Sequence, residues 1–322
     1  MLMRVFGAPF CAPCFEDETP TKVLELCCGS ALWSSACNDY FKRSGSKVSF
    51  TGLDIAPLAP DLNRSGLDWT FVQHDTRKRL PFPDEEFDFI FIKDASICTS
   101  ASVFQADPLG EPLRLLRSGG VLEVWDSDYL LRTLLPNPPV ARGTSEDDLE
   151  QAQATGTYTI SAATPFAQAQ NQYLKDYNSW AQKALEKCRI TTTPCASISL
   201  AFSAEADSFQ DYGSRRIAIP LSEVRWEREP GATLATSKRR VSTPGTGEYR
   251  KLSQDQLALR RTALMTVVQT IESLEPMLIE ANGYGQDEWD RWWSNMTADL
   301  LQQKGTANGE VLEVGAWWGQ KR

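Results

Sequence analysis

Residues 23–31, VLELCCGSA, constrain this chain more than any other stretch. Apolar residues run into a single acid, Glu25, and then into a turn of small residues, which is how a buried parallel strand ends in a ligand-binding loop. A helix pattern follows from Ser34 to Arg43 and ends at Gly45. In an open α/β sheet, ligands sit beyond the carboxyl ends of the strands, so strand, turn and helix mark the floor of a nucleotide-type pocket. A phosphate loop would need GxxxxGK[ST], and residues 23–41 contain none. A second strand, residues 48–55 (VSFTGLDI), ends in Asp54. It comes roughly thirty residues after Glu25, near the interval at which a Rossmann-type pocket places its ribose-binding acid. Two acids at neighbouring strand ends suit a guest with hydroxyls and a positive charge.

Residues 71–94 (FVQHDTRKRLPFPDEEFDFIFIKD) continue the pattern with a third strand, a loop carrying Asp75, an LPF segment and an apolar strand from Phe87 to Ile92. LRSGGVLEVWDSD, residues 116–128, is a Gly-Gly turn leading into a fifth strand. In this order the elements resemble motif I and the following motifs of class I S-adenosylmethionine-dependent methyltransferases. More narrowly, GLDIAPLAP, DWTFVQHD, FDFIFIKD, SGGVLEVWDSD and the C-terminal GEVLEVGAWWGQK resemble the fungal LaeA-like methyltransferases associated with control of development and secondary metabolism. The likeness runs from Thr21 to the end and thins between Arg132 and Leu252.

The resemblance implies an α/β fold: a Rossmann-like, doubly wound, seven-stranded sheet whose last strand is antiparallel, with helical insertions before strand 6 and between strands 6 and 7. It implies S-adenosyl-L-methionine as cofactor, which carries a ribose diol, an ammonium group and a sulfonium but no phosphate. The methyl group would go to a protein or small-molecule acceptor in a fungal regulatory context. On the same basis Glu25 faces the methionine amino end, Gly29 and Cys27 give backbone access, and Asp54 takes the ribose hydroxyls beside Ile55. Asp75 and Thr76 meet the adenine edge, and Lys93 ends the fourth strand where methyl group and acceptor meet. The Lys93–Asp94 pair reads equally as part of the site or as structure. Methyl transfer depends mainly on holding acceptor and sulfonium together away from water, so no catalytic residue is assigned. Asp94, Asp126 and Asp128 are the acids placed to orient an acceptor.

The family usually writes motif I as GxGxG, and here Cys27 and Ala31 replace its outer glycines. They are the next smallest residues, which reads as a tolerated variant. The alternative is a degenerate pocket in a non-catalytic relative, an interaction subunit working with a velvet-type or second methyltransferase-like partner.

The chain has 322 residues, 42% of them apolar, enough for a real core. No apolar run reaches the length of a membrane span and no leader pattern opens the chain, so an intracellular protein of cytoplasm or nucleus is expected. A net charge of -9 argues against direct nucleic-acid binding. Eight cysteines make no disulfide framework. Cys11 and Cys14 form a CxxC that with Cys27 and Cys28 invites a zinc site, but the second pair is committed to the turn, so no metal is expected. His74 is the single histidine, which excludes a histidine-pair mechanism; it reads as a loop residue near the adenine.

Residues 1–20 form a loop-like extension without the helices that usually cover the cofactor, and residues 21–322 form one methyltransferase domain. Residues 132–163, with an acidic EDDLE, read as a long mobile loop at the site's rim. Thr164 and Pro165 signal a helix reaching about Cys188, whose Phe166, Tyr173, Tyr177, Trp180 and Ala184 read as core. Residues 216–221 make the sixth strand, and the basic Lys238–Arg240 lie in a solvated loop over 227–251. Ser253 and Gln256 form a capping box opening one helix. Another from about Asp287 bears Trp289, Trp292, Trp293, Met296 and Leu300, which suit core or an interface. Together they form an insertion over about 252–305.

Overall fold

The computed structural model describes residues 1–16, 18–43, 45–94, 96, 109–141, 143–228, 251–303 and 305–322. They gather into two compact units. The first comprises Met1–Val5, Asp128–Lys187 and Arg216–Val314, and the second Phe6–Ser127, Cys188–Arg215 and Gly315–Arg322. The helices of the expected insertion over about 252–305 fall in the first unit.

The second unit holds the parallel strands β1 (Lys22–Leu26), β2 (Ser49–Asp54), β3 (Asp68–Gln73), β4 (Phe87–Lys93) and β5 (Leu116–Ser127). Every neighbouring pair in the order β3-β2-β1-β4-β5 is parallel. Three short strands follow in the first unit: β6 (Arg132–Leu134), β7 (Tyr158–Thr159) and β8 (Phe166–Gln168). Strands β9 (Phe209–Pro220) and β10 (Glu310–Lys321) have residues in both units. The seven expected strands run β3-β2-β1-β4-β5-β10-β9, a doubly wound Rossmann-like order, and β6, β7 and β8 are additions to it.

A central parallel strand is buried on both faces and reads as an apolar run, as β4 does, whereas the edge strand β3 is mostly exposed or half-buried. In β4, FDFIFIK, all but Lys93 are buried. Leu24, Leu26, Ile90, Ile92, Leu122 and Val124 join a cluster with Cys195, Phe202, Phe209 and Trp317. The alternate positions meet an aromatic layer: Trp33 stacks on Phe91 at 3.9 Å, Phe15 lies 4.4 Å from Phe89, and Phe6 lies 4.8 Å from Trp125. The N-terminal extension is therefore no loose tail. Phe6, Phe10, Ala12 and Phe15 are buried in that layer, a role that their irregular spacing hides from a periodicity argument.

In the first unit β6 pairs antiparallel with β8 and with Glu310 and Val311 of β10, while β7 pairs with Ile217 and Ala218. The stretch expected as a loop over 132–163 thus carries two strands and a helix, Glu146–Thr155. The Ser145 hydroxyl caps this helix by accepting the Asp148 N–H at 3.1 Å, and its acids lie in the favourable first turn. The helix expected from Thr164 begins later, at Gln172. Asn171 caps it, Oδ1 accepting from the N–H groups of Tyr173 and Leu174, and Phe166 belongs to β8. Trp292 lies 4.6 Å from Trp180 and 5.3 Å from Trp289, so the two aromatic stripes pack on each other.

Both bonds of the Ser253–Gln256 capping box are present at the start of the helix Gln254–Ser273, and the tryptophan helix spans Gln286–Gln302. Lys238–Arg240 lie outside the described residues. Asp128, expected among the acceptor-orienting acids, is buried instead in a charge cluster with Arg132, Arg216 and Glu313. No described helix is long and apolar enough to cross a membrane.

Deeper still, Arg260 donates to both oxygens of Glu227 at 2.7 Å and to the carbonyls of Gly156 and Ser222. Removing one member of a buried pair strands the other's charge. Arg260→Ala should cost about 3–5 kcal/mol in a urea melt, whereas an exposed pair such as Lys187–Glu280 should matter little.

Candidate cofactor site

Chain order reverses at β1, which lies between β2 and β4, so the crevice beyond the carboxyl ends of β1 and β4 is the switch point of the sheet. Register brings the expected residues there. Glu25 pairs with Gly52 of β2 and Phe91 of β4, while Asp54 ends β2 and Lys93 ends β4 opposite Trp125. Gly52 is required at its place, because a Cβ would lie 2.1 Å from the Trp69 ring.

The turn after β1 has three left-handed residues: Cys27 at φ 56°, Gly29 at 50° and Ala31 at 55°. That explains the family's glycines by conformation as well as by space, since an L-residue there costs about 1–2 kcal/mol. The fold holds the strain with backbone bonds from Cys28 to the Leu53 carbonyl and from Ala31 to the Cys28 carbonyl. Asp54 braces the same turn: Oδ2 accepts the Gly29 N–H at 2.8 Å and Oδ1 the Ala56 N–H at 3.1 Å. Among the described residues other than its chain neighbours, nothing lies within 4 Å of where a Cβ on Gly29 would stand, so the turn faces open space there.

Glu25 is buried, with one oxygen, Oε2, accepting the N–H of Ser34 at 3.1 Å and its hydroxyl at 2.5 Å. Burial pushes it up to about 7 and nearby Asp54 adds to the rise, against the Ser34 bonds and Lys93. Asp126, also buried, is raised to about 6 by burial, against N–H groups of Ser127 and Ser96 and the charge of Lys93. Burial lowers Lys93, while Asp126 and Glu25 hold it up, and its ammonium bonds to Asp94. One lysine therefore stands among several carboxyls, a donor set that fits a cationic, hydroxyl-bearing guest.

The loop expected to meet adenine is less open. Asp75 is held at about 2 by the Arg77 guanidinium, which grips both its oxygens at 2.8–3.2 Å, with the Arg77 N–H adding to the pull. Thr76 is half-buried beside it. His74 Nε2 sits 3.0 Å from the Arg79 carbonyl, a brace within the loop. Ile55 and Leu58, after β2, and Leu32, after the turn, are exposed and apolar. Among the described residues, no three histidine, cysteine or acidic side chains gather to hold a metal, and no disulfide links the cysteines. Ser34 was not singled out from sequence, although its place nine residues after Glu25 at the head of the helix carried the signal.

The strand order defines a Rossmann-like fold. Residues 23–120 match the family described as "Methyltransferase domain". The chain is similar to phthiotriol/phenolphthiotriol dimycocerosates methyltransferase 1 of Mycobacterium ulcerans, 38% identical over 107 residues, covering 31% of this chain and 35% of that protein. It is also similar to demethylmenaquinone methyltransferase of Staphylococcus epidermidis, 32% identical over 75 residues, covering 22% and 30%. The chain thus spans about a third of the length of these relatives. Among solved structures, Haemonchus contortus phospholethanolamine N-methyltransferase 2, in complex with phosphomonomethylethanolamine and S-adenosylhomocysteine, aligns with 12% identity. The alignment covers 99% of this chain and 56% of that one, with a TM-score of 0.44. The YcgJ protein from Bacillus subtilis aligns with 16% identity over 94% and 92%, with a TM-score of 0.41.

Glu25 and Asp126 hold their protons more tightly folded than unfolded, so the stability this confers is complete below about pH 4. It is lost as pH rises through about 6 and then about 7. The ligand-free protein should lose more melting temperature between about pH 5 and about pH 8 than Glu25→Gln does; equal losses would refute the raised Glu25. Cys27→Gly should stabilise the fold by about 0.5–1 kcal/mol, the strain relieved less the entropy glycine adds to the unfolded chain, measured by denaturant melt.

Proposed function

We propose that this protein binds S-adenosyl-L-methionine at the carboxyl ends of β1, β2 and β4 and transfers its methyl group to an acceptor. The observation that carries this is the set of acids: Glu25 and Asp126 beside Lys93, with Asp54 near Glu25 and bonded to a turn that opens at Gly29. The match of residues 23–120 to the methyltransferase domain supports it. Bound there, the cofactor supplies an electrophilic methyl carbon on a sulfonium.

The chain's part is to hold and orient. Glu25 would meet the ammonium end, with Gly29 and Cys27 giving backbone access, and Asp54 the ribose hydroxyls. Ile55 offers apolar surface, Asp75 and Thr76 the adenine edge, and Lys93 the methionine end near the acceptor. Asp94 and Asp126 remain to orient the acceptor, a protein or a small molecule; the charge of -9 speaks against nucleic acid. The likeness of GLDIAPLAP, FDFIFIKD and SGGVLEVWDSD to the LaeA-like group supports a fungal regulatory setting, in nucleus or cytoplasm, with a velvet-type or second methyltransferase-like partner.

A second reading rests on Arg77, whose grip on Asp75 must be released before adenine can use that acid. In it the chain is an interaction subunit with little catalysis. Co-purification of a partner together with absent cofactor binding selects it.

Calorimetric titration with S-adenosylmethionine, followed by labelled methyl transfer into a cell extract, tests the proposal. Asp54→Ala should weaken cofactor binding at least about tenfold, two charge-assisted hydrogen bonds being lost at about 1.5 kcal/mol each. Unchanged affinity counts against the site.

A further inference from the structure

Residues 6–15 lie in the aromatic layer and bond to both shoulders of the cofactor site. On one shoulder the Trp33 indole N–H donates to the Pro9 carbonyl at 2.6 Å, while the ring stacks on Phe91, two residues before Lys93. Trp33 directly precedes Ser34, the residue that holds Glu25, and follows the left-handed Ala31 by two. On the other shoulder the Glu123 carboxylate accepts the N–H groups of Cys11 at 2.7 Å and Ala12 at 3.1 Å, and the Trp125 indole at 2.6 Å. The Trp125 carbonyl in turn accepts the N–H of Asp94, itself left-handed at φ 51°.

Glu123 is fully buried. An apolar residue there would strand three donors, the N–H groups of Cys11 and Ala12 and the Trp125 indole, so the position calls for an acceptor. What the carboxylate adds is register: two successive backbone N–H groups of the extension are fixed over β5.

We propose that residues 6–15 are a positioning strap for the cofactor turn, with Trp33 and Glu123 as the positioning residues that transmit its hold to Ser34 and Asp94. The proposal rests on the cofactor reading above. The strap acts on the site at one remove: it sets the seat of the helix that follows the turn, and through Ser34 the orientation of the Glu25 carboxyl.

Trp33→Phe removes the N–H to Pro9 while keeping an aromatic ring on Phe91. Calorimetric titration of the full chain with S-adenosylmethionine should show affinity falling about fivefold, the loss of one hydrogen bond. Limited proteolysis should cut within 6–15 more readily, and saturating cofactor should restore protection. Phe10→Leu should give the same pattern and serves if Trp33→Phe does not fold; its ring meets Phe41 and Phe89 rather than the turn. A merely structural strap would lower the melting temperature and leave affinity alone. Unchanged affinity in the folded variants therefore overturns the strap while the cofactor reading stands. Absence of binding by the unaltered protein overturns both.

Discussion

Burying a carboxyl at the end of a parallel strand is unfavourable unless donors or a cation answer it, and this sheet treats its two ends differently. At the amino end, Asp88 lies less deep than Glu25 and Asp126, and N–H groups of Thr21 and Lys22, the Thr21 hydroxyl and the Arg117 guanidinium outweigh burial and hold it below the ordinary range. At the carboxyl end burial wins. Glu25 and Asp126 rise to about 7 and about 6, with Lys93 as the cation they share. Both depth and partners differ between the ends: the carboxyl-end acids lie deeper and have Lys93 alone as their nearby cation. A cationic guest would supply a second, and would draw protons off both acids as it bound.

Backbone strain is concentrated in the same place. Of the six described non-glycine residues with positive φ, Cys27, Ala31 and Asp94 stand at the ends of β1 and β4. Each costs on the order of 1 kcal/mol or more and persists because neighbouring bonds over-determine it. Those bonds are visible: Asp54 to Gly29, Leu53 to Cys28, Trp125 to Asp94. A cysteine where glycine would sit more easily shows that surroundings, and not local preference, set this turn.

Elements whose sequence signal is local and complete were legible. Strands β1, β4, β5 and β10 carry apolar runs bounded by turns, and the Ser253–Gln256 box carries both of its bonds within four residues. Elements whose cause lies elsewhere in the chain were not. Strands of two or three residues, β6 to β8, are too short to show a period, and Thr164–Pro165 imitates a helix start that Asn171 provides. Asp128 resembled a site acid until Arg132, Arg216 and Glu313 placed it in a charge cluster. The extension fared worst, because Phe6, Phe10 and Phe15 have no spacing to read and Glu123, which accepts from Cys11 and Ala12, lies more than a hundred residues away.

The pleat links strap and site. Side chains alternate along a strand, so the register that pairs Glu25 with Phe91 and Phe91 with Glu123 puts all three on one face. The opposite face belongs to Leu24, Leu26, Ile90, Ile92, Leu122 and Val124. A slip of one residue in β5 would carry Glu123 into the aliphatic cluster and turn Leu122 or Val124 toward the strap's N–H groups. The acid that fixes the strap thereby also guards the register that brings Lys93 opposite Trp125. Replacing it with a hydrophobe would leave the Cys11, Ala12 and Trp125 N–H groups without their acceptor and release the strap at the same time.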